Sequence, residues 1–449
     1  MNKTFEKNLP SFVLAYLKKH STDKWSIEAE DLKNINNIVV IPAIKEYENI
    51  ISLLKSVLEN DTIYFYETLF LFVINNPENC NHDIKEDNRK TIAFLRNLIG
   101  KKSNDDFSKK IYEKGIKIGV VDASSENKAL LDKEAGVGLA RKIGMDLALE
   151  VFNYKSNRKK ILICLDADCI VDKNYLKEII NTFNQKNYNA ACIYYEHILP
   201  ENKDEKFAII CYELFLRYYV TGLKYAGSHY AYQTIGSTIV CDAESYCKAG
   251  GMNKRKAGED FYFLEKLAKI TSIHQINTTT VYPSSRISLR VPFGTGKRIS
   301  KFLQSAENEY YLYHPESFHI LKKWLDVFHS KNIMDENYYL KEAEKIHIRL
   351  KEFLNKNSFD KAMKNIFKNS KNDEQIQKQK LYWFDAFRTL KLIHYLRDTN
   401  FYMINMFDAI DRLMKMLSQK IDFKRNEIIP SLEVQLEYLN YMRELNKTF

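Results

Sequence analysis

Short runs of consecutive apolar residues alternate, over the first third of the chain, with longer stretches in which apolar positions recur every three or four residues. Asn37-Ile38-Val39-Val40-Ile41-Pro42 is one such run, stopped by proline. Leu69-Phe70-Leu71-Phe72-Val73-Ile74 is a second, closed by Asn75-Asn76-Pro77, and residues 116–122 and 160–165 are a third and a fourth. Continuous apolar runs of this length suit parallel strands covered on both faces. Between them, 46–58 and 135–151 read as helices, and the polar stretch 78–114 as an insertion holding one or two more. Alternation of strand and helix predicts an α/β fold, with a mostly parallel, Rossmann-like sheet and right-handed crossovers. Residues 170–285 continue as mixed helix and strand. Beyond 300 the pattern changes. Leu381, Phe384, Phe387, Leu390 and Ile393 recur at helical spacing, which predicts an α-helical C-terminal region. Residues 1–34 are polar with an apolar patch at 12–17 and read as a helical extension. The expected organisation is therefore 1–34, an α/β domain over 35–300, and a helical region over 301–449.

Composition narrows the class. A chain of 449 residues is long enough for roughly two or three domains without a disulfide or metal staple. Hydrophobic residues make up 45% and charged residues 28%, the balance of a globular protein. With Gly 14 and Pro 8, collagen is excluded, and 29 Tyr and 26 Phe argue against an isolated coiled coil. The net charge of +10 comes from scattered lysines; a solvated Lys-rich surface is its ordinary reading, and attraction to phosphorylated ligands, nucleic acid or an anionic membrane face the sharper one. The scatter gives nucleic-acid binding little support. The seven cysteines form no CxxC pair and sit mostly in apolar runs, as expected of free buried thiols in a reducing compartment. Met-Asn-Lys-Thr-Phe-Glu-Lys at the start carries no apolar signal segment. Of the two longest apolar stretches, 63–74 is too short to span a bilayer and contains Glu67, and 207–223 carries Glu213 and Arg217. A cytoplasmic protein, with peripheral contact to the inner membrane face left open, is the expectation.

Candidate chemistry concentrates in a few segments. Leu165-Asp166-Ala167-Asp168 puts two acids one residue apart at the carboxyl end of a buried strand, where open α/β sheets bind ligands. Paired carboxylates there supply hard oxygen donors for Mn2+ or Mg2+, which can bridge a diphosphate. An acidic turn is the ordinary reading of such a pair when it stands alone. Gly258-Glu259-Asp260 precedes a helix-like segment; helix capping is its ordinary role, and a general base its functional one. Residues 134–144, with Gly136, Gly138 and Gly144, only superficially match a dinucleotide fingerprint, because Arg141 takes the third-glycine position. Pro292-Phe293-Gly294-Thr295-Gly296-Lys297 fails as a P-loop, yet with Arg286, Arg290 and Arg298 nearby it offers backbone and guanidinium donors to a phosphate. No HExxH or GxSxG is present, and His274 reads as a stray core or surface histidine.

Taken in order, these segments resemble the family-two glycosyltransferases of the GT-A fold. The opening Ile41-Pro42-Ala43 followed by Glu46, the strand ending in Asn75-Asn76, the Gly-x-x-x-Ala-Arg stretch ending at Arg141, the Asp-x-Asp pair and Glu259-Asp260 carry the resemblance, which covers about 36–300. It implies that Pro42, Ala43 and Glu46 contact the nucleoside, that Asn75 or Asn76 stands where the base is read, and that Arg141 flanks the nucleotide. Asp166 would meet the ribose or a metal-bound water, and Asp168 would ligate Mn2+ or Mg2+. Asp260 would be the catalytic base, with Glu259 orienting it or the acceptor. Gly236 and Ser237 match the small-residue turn under the acceptor, and Arg286 and Arg290 are further candidates for phosphate or acceptor contact. Asn75 or Asn76 replaces the family's usual Asp, Ile44-Lys45 replaces its usual pair before Glu46, and the QxxRW motif of processive synthases is absent.

The implied activity is metal-dependent transfer of a hexosyl group from a UDP- or GDP-sugar to a hydroxyl acceptor such as a glycan, a lipid or a small molecule. Direct, inverting displacement is the implied course, with retention open if His274 reaches the same sheet edge. Two alternatives stand beside it. A nucleotidyltransferase would open with a Gly-rich loop after the first strand, where this chain has Pro42-Ala43-Ile44-Lys45-Glu46. A catalytically silent scaffold would use its helical region to bind a partner. That region carries no readable chemistry; an acceptor wall, a homo-oligomer surface and a membrane-facing patch all stay open for it.

Overall fold

The computed structural model describes residues 9–20, 24–286, 295–304, 309–421 and 423–448. By contact density the chain forms two units, one of residues 1–198 with 234–297 and one of 199–233 with 298–449.

The first unit is built on one nine-stranded sheet. Its strands are β1 (Glu28–Ala29), β2 (Asn37–Ala43), β3 (Thr68–Asn75), β4 (Lys117–Ala123), β5 (Ile161–Cys164), β6 (Ile170–Val171), β7 (Ala190–Tyr195), β8 (Ile239–Asp242) and β9 (Ile273–Tyr282). They lie in the order β1-β4-β3-β2-β5-β8-β7-β9-β6. β4, β3, β2 and β5 pair in parallel, as do β7 and β9. β8 runs against both β5 and β7, and the two-residue β1 and β6 are antiparallel at the edges. The four apolar runs are thus the four central parallel strands. β2 and β3 are buried at every position, as strands covered on both faces should be.

The helices of this unit include α1 (Ser11–His20), α2 (Tyr47–Leu58), α3 (His82–Ile99), α4 (Asp106–Glu113), α5 (Val137–Val151), α6 (Tyr175–Gln185), α8 (Ala243–Lys248) and α9 (Glu259–Ala268), while α7 (Lys203–Tyr225) belongs to the second unit. The polar insertion after β3 holds the two helices α3 and α4. The N-terminal α1 is docked by a buried polar cluster. Tyr16 donates to Asp146 of α5 at 2.8 Å, Tyr246 of α8 donates to the same oxygen at 2.6 Å, and Lys142 holds the other carboxylate oxygen at 2.8 Å.

In the second unit, α7 packs with Leu432–Thr448. Glu213 and Arg217, the charges that interrupt the 207–223 apolar stretch, are fully buried and turned on each other. Glu213 accepts from Arg217 Nε at 2.8 Å and from Arg443 Nε at 2.8 Å. Asn446 donates to Thr221 at 3.1 Å. A carboxylate between two guanidinia tolerates burial because its lone pairs are satisfied. Trp324, Phe328, Phe359 and Phe384 make the aromatic centre of the same core. Among the described residues no helix is long and apolar enough to cross a membrane. All seven cysteines are free thiols, five of them buried.

α5 approaches β2 and β3 closely enough to need glycine. A Cβ at Gly144 would lie 2.5 Å from Val40 Cγ1 and 2.8 Å from Val73 Cγ2. In an exposed helix, replacing Gly by Ala gains about 1 kcal/mol. Here overpacking against two fully buried strands costs about 1–3 kcal/mol and should win. Gly144→Ala is therefore expected to lower the urea midpoint, whereas a raised midpoint would mean that the α5–sheet interface gives way.

Candidate active site

The sequence-predicted residues gather where the parallel strands end. β2 ends at Ala43, three residues before Glu46; β3 ends at Asn75; β5 ends at Cys164, two residues before Asp166. β8 is antiparallel, so its start, with the single turn Gly236–Thr238 before it, lies at that same edge. α9 brings Glu259 and Asp260 there on its first turn.

Arg141 is the centre of this arrangement. It projects from α5, its side chain is only 2% exposed, and it ion-pairs with Glu259 through Nη1 and with Asp166 through Nη2. Burial alone would depress its pKa, but pairing with Asp166 and Glu259 outweighs that and raises it. The space for the guanidinium exists because residue 236 has no side chain: a Cβ there would lie 2.4 Å from Nη1. Gly138, one turn earlier on α5, has the same kind of role, since a Cβ would meet the Arg255 carbonyl oxygen at 2.4 Å. The glycines of 134–144 thus let α5 approach the loop before α9 and the sheet, rather than cradling a dinucleotide.

Asp166 is 35% exposed and Asp168 25%, so both reach the open side of the site. Asp168 lies 3.1 Å from Arg286 Nη2, and that same nitrogen bonds Glu46. Glu46 also accepts from Asn49 at 2.6 Å. Asp260 accepts a hydrogen bond from the Phe261 amide at 2.7 Å. Five acidic side chains (Glu46, Asp166, Asp168, Glu259, Asp260) thus surround two guanidinia.

The resemblance implies a divalent metal here. Among the described residues no group of three or more His, Cys, Asp or Glu is placed to hold one. Two partly exposed aspartates are nonetheless the donor set that Mg2+ or Mn2+ uses when phosphate oxygens and water complete its shell. The residues fit such an ion held jointly with a diphosphate.

Burial pushes the Glu259 carboxyl up, to about 7; Arg141 opposes this and Asp260 adds to it. Burial likewise raises Asp260, with Arg141 opposing. One cation does not neutralise three neighbouring carboxylates, so retaining a proton is favoured.

Pro42 and Ala43 are buried in β2. Asn75 donates its amide hydrogens to Ala43 O at 3.0 Å and Val73 O at 3.2 Å. The backbone carbonyl of Asn75 accepts from the Asn88 side chain of α3 at 3.1 Å, and the Asn88 side chain also accepts from the Lys45 amide at 2.9 Å. Lys45 has φ +55°, a conformation that the Asn88 bond helps to hold between β2 and α2. Asn88 lies in the polar insertion, where no motif marks it. Ser237 is buried in the turn after Gly236. Arg290 and Pro292–Gly294 lie outside the described residues; Thr295–Gln304 is helical. His274 is not at this edge. It begins β9 beside Ala191 near the start of β7, at the opposite, amino end of the parallel strands, and stacks on Tyr188 with ring centroids 3.7 Å apart. Its polar neighbours in sequence gave no sign of which sheet edge it would occupy.

No family description and no curated protein sequence matches the chain. It is similar to several solved structures, one of which is named as a mannosyltransferase. The 1–349 fragment of S. aureus TarS in complex with UDP-GlcNAc has 13% identity and a TM-score of 0.37, covering 87% of this chain and 94% of that one. The mannosyltransferase PcManGT from Pyrobaculum calidifontis, in complex with GDP-Man and Mn2+, has 9% identity and a TM-score of 0.35, covering 98% and 94%. GalNAc-T7 with UDP, GalNAc and Mn2+ has 13% identity and a TM-score of 0.34, covering 70% and 55%.

A carboxyl whose folded pKa is raised binds more protons folded than unfolded, so its contribution to stability is lost as pH rises. Through Glu259 this loss falls between about 4.5 and about 7. Urea unfolding at pH 5 and pH 7 should therefore show Glu259→Gln gaining on the wild type as pH rises, by on the order of 1–3 kcal/mol. The opposite slope would mean that Arg141 outweighs burial and holds Glu259 ionised.

Proposed function

We propose that this protein transfers a hexosyl group from a nucleotide diphosphate sugar to a hydroxyl acceptor with the help of Mn2+ or Mg2+. The observation that carries the reading is the convergence, at the carboxyl edge of one sheet, of Asp166 and Asp168 with Glu259 and Asp260 around the buried Arg141. A divalent ion held at Asp168 and Asp166 would neutralise the departing diphosphate.

The chain's own residues supply the rest. Glu259 is engaged by Arg141, whereas the hydrogen bond to Asp260 comes from a backbone amide, which leaves its carboxylate suited to take the acceptor proton. Attack by the deprotonated hydroxyl on the anomeric carbon displaces the nucleoside diphosphate with inversion. Arg141 positions Asp166 and Glu259 against each other, so the metal-facing turn and the base-bearing helix keep a fixed separation. Gly236 and Ser237 form the turn beneath the acceptor. Asn75 spends its amide hydrogens on Ala43 and Val73, so what it offers a ligand is an acceptor oxygen. An acceptor suits the imide N–H of uracil or the N1–H of guanine, which supports a UDP- or GDP-sugar.

A thermal-shift panel of UDP, GDP, CDP and dTDP, each with and without Mn2+, tests the donor site. Stabilisation by UDP or GDP that requires Mn2+ is expected, on the order of 2.7 kcal/mol at about 100 times the dissociation constant. Asp168→Asn should abolish it; an undiminished response in that variant would refute the role given to Asp168. Asp260→Asn should lower turnover by about 100-fold or more and leave donor affinity unchanged. Because Asp260 is raised above the ordinary carboxylate range, the acid limb of kcat/KM should lie above that range too. Release of pyrophosphate instead of nucleoside diphosphate would point to a nucleotidyltransferase.

A further inference from the structure

Arg286 bridges two acids that the site needs for different tasks. Its Nη2 bonds Glu46, next to the nucleoside end, and lies 3.1 Å from Asp168 Oδ2, at the metal end. Its Nε–H is buried and has no hydrogen-bond partner among the described residues. A buried guanidinium donor left unsatisfied is costly and calls for an acceptor. Nε and Nη2 together form the edge of the guanidinium fork that takes two oxygens of a phosphate.

We infer that Arg286 exchanges partners during donor binding: it neutralises Asp168 while the site is empty, and hands that carboxylate over when a nucleoside diphosphate arrives for its fork. A guanidinium at 3.1 Å opposes a dication at the same carboxylate. When the diphosphate engages Nε and Nη2, the opposition ends, and both charges act on the phosphate oxygens. Metal and nucleoside diphosphate therefore strengthen each other's binding, by the same factor in both directions. The metal alone binds weakly, which keeps the acidic edge from trapping an ion without its substrate. The inference rests on Asp168 being a metal-facing carboxylate, and it adds the residue that couples the ion to the donor.

Mn2+ binding to the full chain, followed by the EPR signal of the free ion, tests this without turnover. Wild type, Arg286→Gln and Arg286→Lys are each titrated alone and with saturating UDP or GDP. Without nucleotide, Arg286→Gln should bind Mn2+ roughly tenfold tighter than the wild type, the scale of one lost charge-assisted contact. With nucleotide the gain should vanish, so the coupling factor falls. Arg286→Lys keeps a positive charge near Asp168 but loses the fork. Its affinity for Mn2+ alone should stay near the wild-type value while the coupling factor falls, and this reading holds even if the Gln variant does not fold. Unchanged or weaker Mn2+ binding by Arg286→Gln alone, or undiminished coupling in Arg286→Lys, would overturn the exchange while leaving Asp168 as a metal ligand. No Mn2+ binding by any of the proteins, with or without nucleotide, would instead remove the metal site itself and the inference with it.

Discussion

A single buried cation organises the site. Arg141 lies on α5 beneath the edge of the sheet and is nearly inaccessible to water, yet it engages Asp166, from the turn after β5, and Glu259, from the start of α9. Charge buried at that depth is tolerated only when paired, and removing one partner of a buried pair typically costs about 3–5 kcal/mol. Other features follow from making room for it. Residue 236 must lack a side chain, and α5 must run tight against the loop before α9 and against β2 and β3, which is why glycine stands at 138 and 144. The same cation is too little charge for its surroundings. Burial raises the pKa of Glu259 and Asp260 despite a guanidinium in reach. Such a setting suits the base role proposed for Asp260.

The second guanidinium, Arg286, works on the more open side and under different terms. It is partly exposed, its Nε–H has no partner among the described residues, and its partners Glu46 and Asp168 come from segments far apart in the chain. Arg141 is therefore the buried strut, and Arg286 the more exposed guanidinium for which the partner exchange is proposed.

Much of the fold was legible because its signals are local. A run such as 69–74, apolar at every position, has few alternatives to a strand buried on both faces, and the structure makes it the body of β3. The helical character beyond 300 was readable from spacing for the same reason, and the insertion, expected to hold one or two helices, holds two. The antiparallel β8 was not, because direction within a sheet is decided by crossovers and not by composition. Nor did any sequence feature mark 199–233 as part of the helical unit: its tie is the Glu213–Arg443 pair, formed across 230 positions. At the site, Asp166, Asp168, Glu259 and Asp260 could be named from their places after a strand or before a helix. What they bond to could not, because Arg141–Glu259 and Arg286–Glu46 are contacts between distant segments. His274 shows the converse limit. Nearness in sequence to an acidic pair says nothing about which end of a strand a residue occupies.

The interleaving of the two units has a consequence for how the protein is made. Glu213 leaves the ribosome 230 residues before Arg443. At ordinary elongation rates that is a wait of roughly 10–50 s. During it, the central carboxylate of α7 has Arg217 beside it but waits for Arg443, and the apolar face that packs with Leu432–Thr448 stays without that helix. The nascent chain therefore passes through a stage at which its longest helix is both sticky and electrostatically unfinished. Emergence of Leu432–Thr448 ends that stage, so a ribosome that stalls shortly before this helix holds a chain whose sheet strands are all made and whose helical core is open.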